Sequence, residues 1–429
     1  MKLEIPYLSE RLSLEIPDEQ LLAVAEPNPF ECAGSVTDTL NLALSQPCVG
    51  TMCDALSLDE FLNGASRILI IINDATRPTP TSAMLSALLP VCERHVALHD
   101  IILLVATGAH RAPTEAEYEQ ILGPMYRQLR PHCTYHDSRD PAQLATLGTT
   151  RNGTPITLNK HVFEVDRIIV TGSVEPHYFA GFTGGRKAFL PGIAGFSTIE
   201  ANHRQALSPR ARSLALEGNP VHEDMMDALR YIDVPVFALM TVLDKEQKVA
   251  AATSGDLVAS FSQAVAYARR IFCVSIPARA DIVVSVAKFP MDIDLYQSQK
   301  AIDNGALALK DGGTLILVSS CRDGIGDTTY ARLLAQADSP SDALARIRKE
   351  YLLGFHKAAK MAEVAQRATI VAVSELSDEV LSSMFIEKQK TLDDAFRFAK
   401  ALADRQGIAR PTVIVLPDGC VTIPTSPDA

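Results

Sequence analysis

Short aliphatic runs, unbroken by polar positions, recur along the chain: RILIIIND from 67, DIILLVATG from 100, RIIVTGS from 167, VPVFALMTVL from 234, ADIVVSVA from 280, GGTLILVSS from 312 and ATIVAVSE from 368. A strand that is apolar at consecutive positions is buried on both faces, as in the middle of a parallel sheet. Helical spacing separates these runs. It is seen in TSAMLSALLPVCERHV from 81, in APTEAEYEQIL from 112 behind a Thr cap, and in LVASFSQAVAYARRIF from 257. PSDALARIRKEYLLGFHKAAKMA from 340 reads as one continuous helical pattern. The opening MKLEIPYLSERLSLEIPDEQ alternates like a strand. Strands alternating with helices predict an α/β fold with largely parallel sheets and right-handed crossovers.

A length of 429 residues predicts two domains. The seam is expected near FCVSIPARAD, which gives residues 1–275 and 276–429, an active site in the cleft between them, and a final segment able to pack back on the first domain. The polar tail TSPDA is expected to fray. A net charge of −11 argues against nucleic acid and anionic membrane as partners, because both select basic patches. It leaves small anionic substrates open, since a few local cations can hold a carboxylate. The eight cysteines, Cys32 among them, are scattered without CxxC pairs or zinc spacing. With no signal-peptide pattern at the start, the expected compartment is the cytosol with reduced thiols.

Ligands of open α/β sheets bind beyond the carboxyl ends of the strands, so the segments after the apolar runs are the ones to inspect. After the first run, Asp74, Thr76 and Arg77 occupy a turn leading into a helix, where free N–H groups and a guanidinium attract anions. An ordinary Asp/Thr cap is the plain alternative. After the second, His110 follows the strand end, and a single histidine there is as readily structural. After the third comes EPHYFAGFTGGRKAFLPGIAG, with His177, Lys187 and five glycines. Arg186 and Ala188 flank the lysine and rule out a P-loop. An amine among glycines and apolar residues suits a lowered pKa and covalent attachment, with a snorkelling lysine as the alternative. His203 stands sixteen residues further on, on the next helix. Tyr296, Gln297 and Lys300 follow the strand from 280, and Gln297 and Lys300 share a helix face. They suit an anionic group or simply a solvated surface. His222 reads as a helix-start residue.

In order and spacing, the segments NDATRP, ATGAHR, EPHYFAGFTGGRKAFLPGIAG, ANH, GNPVHEDM and YQSQK resemble the nickel-dependent lactate racemase family. The resemblance implies a nickel-pincer nucleotide, a pyridinium mononucleotide whose thiocarbonyl arms grip nickel. Lys187 would tether it covalently, His203 would bind the nickel, and Asp74, Ala75, Thr76 and Arg77 would contact the nucleotide. His110 and His177 would be the catalytic pair. Tyr296, Gln297 and Lys300, with Arg77, would hold the substrate.

The implied reaction inverts the C2 centre of a 2-hydroxy acid. Its Cα–H is weakly acidic, so removing hydride requires an electron sink that a cofactor supplies. Either enantiomer needs its own proton acceptor, which accounts for two histidines. Lactate, malate, aromatic hydroxy acids and sugar acids epimerised at C2 all suit these residues, and enzymes that build the cofactor are the implied partners. A pyridoxal phosphate enzyme using Lys187 and a non-catalytic carrier of the nickel nucleotide are the competing readings.

Overall fold

The computed structural model describes residues 1–30 and 34–427; Cys32 and the last two residues of the tail lie outside the described residues. The chain forms two units, residues 30–270 and residues 1–29 together with 271–429. The opening alternation folds as an antiparallel hairpin of β1 (Lys2–Tyr7) and β2 (Glu10–Glu15), followed by β3 (Leu21–Val24). Sequence pattern groups these residues with the first domain, and the structure corrects this. Ile5, Leu14 and Ile16 are buried in one cluster with Ile282, Val284 and Val413. The apolar face of the hairpin has its partner in the C-terminal unit.

The sheet of the N-terminal unit contains β4 (Ile68–Asn73), β5 (Ile101–Ala106), β6 (Cys133–Tyr135), β7 (Arg167–Ser173), β8 (Val236–Leu243) and β9 (Val249–Asp256). Their order is β9-β8-β7-β4-β5-β6, and only β9 runs antiparallel to its neighbour. The five isoleucine and leucine positions from Ile68 to Ile72 are all fully buried, as a central strand requires. Helices α1 (Thr81–His95) and α2 (Glu115–Leu122) follow β4 and β5, and Thr114 and Glu117 close a capping box at the start of α2. Helices α3 (Phe196–Arg204) and α4 (Pro220–Ala228) lie between β7 and β8, and α5 (Leu257–Phe272) follows β9. The chain steps from β4 outward to β6 on one side, then returns to place β7 on the other. The order therefore reverses between β4 and β7, the topological switch point where a ligand is expected.

The C-terminal unit repeats this logic. Its strands are β10 (Cys273–Ser275), β11 (Ala280–Val286), β12 (Leu309–Val318), β13 (Thr369–Val373), β14 (Ile386–Gln389), β15 (Val413–Leu416) and β16 (Ile423–Thr425). The main sheet has the order β14-β13-β12-β11-β15-β3, parallel throughout, and reverses between β11 and β15. Helix α6 (Leu295–Gly305) follows β11. The pattern from 340 is two helices, α7 (Pro340–Lys349) and α8 (Phe355–Arg367), rather than one: Glu350 is extended at φ −141°, and the chain re-enters a helix only after Gly354, whose φ of 103° lies in the left-handed region. The tail is corrected as well. β16 pairs with β10, so Thr425 is held in a strand and the final segment packs within its own unit. No helix of the described residues is long and apolar enough to cross a membrane.

Candidate functional site

The loops beyond the carboxyl ends of β4, β5 and β7 bring the sequence-selected residues of the N-terminal unit into two hydrogen-bonded groups. In the first, the buried Asp74 accepts a 2.7 Å hydrogen bond from the Thr76 hydroxyl at one oxygen and meets His110 Nδ1 at 2.6 Å with the other. Burial would raise the Asp74 carboxyl, but these two hydrogen bonds and the charges of His110 and Arg77 outweigh it and leave its pKa lowered. An ionised carboxylate only accepts, so His110 Nδ1 carries the proton of this bond. Asp74 is thus no helix cap. The residue at the N-cap of α1, Pro80, offers no side-chain bond. Thr79, at the end of the same turn, bonds Asn73 at 3.0 Å and Ser173 at 2.9 Å, which ties the ends of β4 and β7 together across the switch point. Ala75 is partly buried against the core under this turn.

The second group lies in the glycine-rich loop after β7. Its shape depends on two positions that tolerate no side chain. Gly181 has φ +77° and a Cβ there would fall 2.2 Å from the carbonyl oxygen of Ala215, while Gly184 has φ +78° and would place a Cβ 2.5 Å from Val174. His177 Nδ1 receives the backbone N–H of Ala180 at 3.3 Å and that of Phe179 at 3.5 Å, and its Nε2 faces Lys187 Nζ at 3.5 Å. The Lys187 amine also stands 5.5 Å from the centroid of the Phe179 ring, whose other edge meets His203 at 5.1 Å. One aromatic ring therefore lies beside both the amine and the imidazole of α3. The Lys187 residue keeps some exposed surface, but its amine is desolvated. Burial first, then the charges of Arg186 and Arg77, hold its pKa well below the lysine range against an upward pull from Glu175. His177 is also held well below the usual histidine value, by burial and then by Lys187, Arg77, His203 and Arg186. A neutral ring whose Nδ1 accepts must carry its proton on Nε2. Nδ1 is thus a donor in His110 and an acceptor in His177.

Sequence reasoning passed over Arg186. Its guanidinium is 1% exposed, and burial lowers its pKa to about 9. It donates to the carbonyls of Ala180 (2.7 Å) and Gly184 (3.2 Å) and to His222 Nδ1 (3.0 Å), and lies 4.4 Å from the Phe261 ring centroid. Arg186 therefore ties the loop to itself and to α4, and it makes His222 more than a helix-start residue. Asn219, the N-cap of α4, adds a 2.8 Å bond to the Phe179 carbonyl. Their spacing, 36 and 40 positions from their partners, hides these pairs from any local pattern.

Tyr296, Gln297 and Lys300 lie in the C-terminal unit on α6, at its own switch point. Asp294 caps the helix, accepting the Gln297 N–H at 2.7 Å. Ser298 bonds Ser319 at the end of β12 at 2.7 Å. The Lys300 amine meets the Met291 sulfur at 3.4 Å, a weak acceptor that leaves an ammonium's stronger bonds for a ligand.

Among the described residues no group of three or more His, Cys, Asp or Glu is placed to hold a metal ion. A metal beside His203 would take its other donors from a bound organic group, and the Lys187 amine beside the same ring is a point to attach one.

Residues 7–213 match the Lactate racemase N-terminal domain and residues 276–423 the Lactate racemase C-terminal domain. The chain is 30% identical over 98% of its length to the lactate racemase of Thermoanaerobacterium thermosaccharolyticum, also 98% covered, and 32% identical over 97% to that of Lactiplantibacillus plantarum, 98% covered. The lactate racemase apoprotein structure from the former superposes with a TM-score of 0.90 at 30% identity, covering 99% of this chain and 100% of that one. A protein from Thermotoga maritima, at 17% identity and a TM-score of 0.63 over 86% of this chain and 96% of its own, shares the fold alone.

Proposed function

The chain belongs to the lactate racemase family and is an isomerase, and on that premise we propose that it inverts the C2 centre of a 2-hydroxy acid of the lactate class with a nickel-pincer nucleotide tethered at Lys187. One observation carries the reading: a desolvated amine of lowered pKa and the His203 imidazole flank the same Phe179 ring. A neutral amine is a nucleophile, an ammonium is not, and the loop shifts Lys187 toward the former state. Lys187 would hold the group covalently, His203 would ligate its nickel, and Asp74 to Arg77 would contact its nucleotide part. A soft sulfur–imidazole donor set suits nickel. When bound, such a group supplies a hydride acceptor that no side chain can provide.

The proton work falls to the chain. His110 Nε2, with the ring oriented by Asp74, takes the hydroxyl proton of one enantiomer, and the Asp74 carboxylate stabilises the imidazolium that forms. His177, held through Nδ1 by the Phe179 and Ala180 amides, carries its proton on Nε2 and donates from it to the substrate oxygen. Gln297 and Lys300 bind the substrate carboxylate, the lysine as a point charge. The apolar and aromatic lining of the loop keeps water from the attachment point.

The test combines two measurements on protein made in cells that also make the cofactor-building enzymes. Intact mass and peptide mapping are expected to place an adduct containing sulfur and nickel on Lys187. Chiral chromatography of single-enantiomer lactate, malate, aromatic hydroxy acids and sugar acids is expected to show inversion of at least one. A borohydride-reducible aldimine at Lys187, or inversion of none of these acids, would overturn the proposal.

A further inference from the structure

The C-terminal unit contains a buried cation to which the proposed chemistry gives no task. Lys357, in the first turn of α8, is 3% exposed. Its ammonium donates to the main-chain carbonyl of Tyr296 and stands 3.6 Å from the centroid of the Tyr296 ring. In return, the side-chain amide of Gln299, itself fully buried, donates to the main-chain carbonyl of Lys357 at 2.9 Å. Two bonds running in opposite directions therefore clasp α8 to α6. In a regular helix the carbonyl of residue 296 accepts the N–H of residue 300, so the clasp closes on the peptide group that defines the Gln297–Lys300 turn.

A purely structural staple would not need a charge. Burying an ammonium is costly, and an apolar side chain would pack two helices without that cost. Burial pulls the Lys357 pKa down to about 7; Asp303, on α6, pulls against it, with Lys300 adding to the lowering and Asp294 and Cys420 to the raising. Lys360 and Glu363, on α8, act in turn on Asp303. Lys357 and Lys300 therefore feel each other, and both cations face the N-terminal turn of α6, where the helix dipole is also positive. These positive contributions, answered on the protein by Asp294 at the cap and by Asp303, would also favour an anion held at Lys300.

We propose that Lys357 is a positioning residue for substrate, holding the Tyr296 carbonyl so that Gln297 and Lys300 stay set for the carboxylate of a 2-hydroxy acid and adding its charge to the attraction. The proposal rests on the reading of Gln297 and Lys300 as carboxylate anchors. Its test uses cofactor-loaded full-length protein. Lys357→Met, similar in length but without charge or donor, is expected to raise KM for lactate about tenfold with kcat changed less than about threefold, the signature of lost binding shared by ground and transition states. The mass increment at Lys187 should be unchanged, and Lys357→Arg, which restores a cationic donor, should recover most of the KM. Gln299→Leu, which removes the return bond alone, should shift KM in the same direction by a smaller factor. An unchanged KM in Lys357→Met with a lower melting temperature would reduce Lys357 to a structural staple and overturn the proposal. If that variant does not fold, an unchanged KM in Gln299→Leu overturns it. Calorimetric titration with L-lactate separates the two layers. Weaker binding in Lys357→Met supports the clasp even if no acid is inverted, in which case the functional reading fails; equal binding sinks the clasp whatever the turnover.

Discussion

Lys187 and Lys357 are both amines taken out of water at the switch point of an open parallel sheet, and the difference in their company decides what each can do. Around Lys187 the nearby charges are mostly of its own sign, Arg186 and Arg77, and its hydrogen-bond contact is a neutral histidine. Only Glu175 pulls the other way, so burial and like charges favour the neutral, nucleophilic amine. Around Lys357 a carboxylate, Asp303, and a main-chain carbonyl favour the charged form that burial opposes. That amine, its pKa lowered to about 7, is held as a hydrogen-bond donor to the Tyr296 carbonyl. Desolvation alone makes neither an attachment point nor an anchor; the sign of the neighbouring charge does.

The sharpest way to break this comparison is to remove the first amine. Lys187→Met should abolish attachment, leave no added mass on the protein, and lower racemisation by at least about a thousandfold, as loss of an obligatory covalent group does. It should also stabilise the apoprotein. A lysine whose folded pKa lies below its unfolded value binds fewer protons when folded, so at neutral pH it opposes folding, and the opposition fades only as pH rises toward the ordinary lysine range. The Met variant should therefore melt a few degrees higher at pH 7, with the gain shrinking at pH 10. An equal or lower melting temperature would mean that Lys187 is charged and solvated in the apoprotein.

The histidines come next. His110→Ala and His177→Ala should each keep the adduct but lose about a hundredfold to ten-thousandfold in kcat, the usual range for a general base. Asp74→Asn should lose less than His110→Ala, because the imidazolium that forms at His110 loses its carboxylate partner. Full activity in either alanine variant would remove that histidine from the proton work.

Gly181→Ala tests the loop as a scaffold. A Cβ at φ +77° and 2.2 Å from a carbonyl oxygen cannot be absorbed by a side-chain shift, so a loss on the order of 2 kcal/mol in stability and slower attachment at Lys187 are expected from urea unfolding and mass time courses.

Much of this was legible before any coordinates. The runs at 68, 101, 168, 282 and 370 are strands because burial on both faces explains three to six consecutive apolar positions, and the lysine of GGRK stood out because no surface loop is so apolar. Other features were not legible, each for a physical reason. β9, VAAATSGD, is built of small residues whose burial comes from close approach rather than from hydrophobicity. The hairpin of β1 and β2 announces an apolar face but not whose face it meets. The split of α7 from α8 rests on an extended Glu350 and a left-handed Gly354. Arg186 appeared in the sequence only as the residue that spoils a P-loop, since a guanidinium saturated by carbonyls of its own loop leaves no periodic trace.

The smallest expected effect concerns the histidine that Arg186 donates to. His222 is pushed down to about 3, first by burial and then by the Arg186 charge, because Nδ1 must stay an acceptor for that guanidinium. Unfolded, the same ring titrates near the ordinary value of about 6.5. The unfolded chain therefore binds a proton that the folded chain refuses, and stability falls as pH drops from the unfolded value toward the folded one. His222→Gln keeps an acceptor within reach of Arg186 Nε but cannot titrate. Wild type and variant should share one urea midpoint at pH 7.5, and the wild type should lose more of it by pH 4.5, with the gap opening below about pH 6.5. Parallel curves would place the acid sensitivity elsewhere. A gap already present at pH 7.5 would mean that the imidazole contributes packing, through its stacking on Phe261 at 6.4 Å, rather than a site for one neutral hydrogen bond.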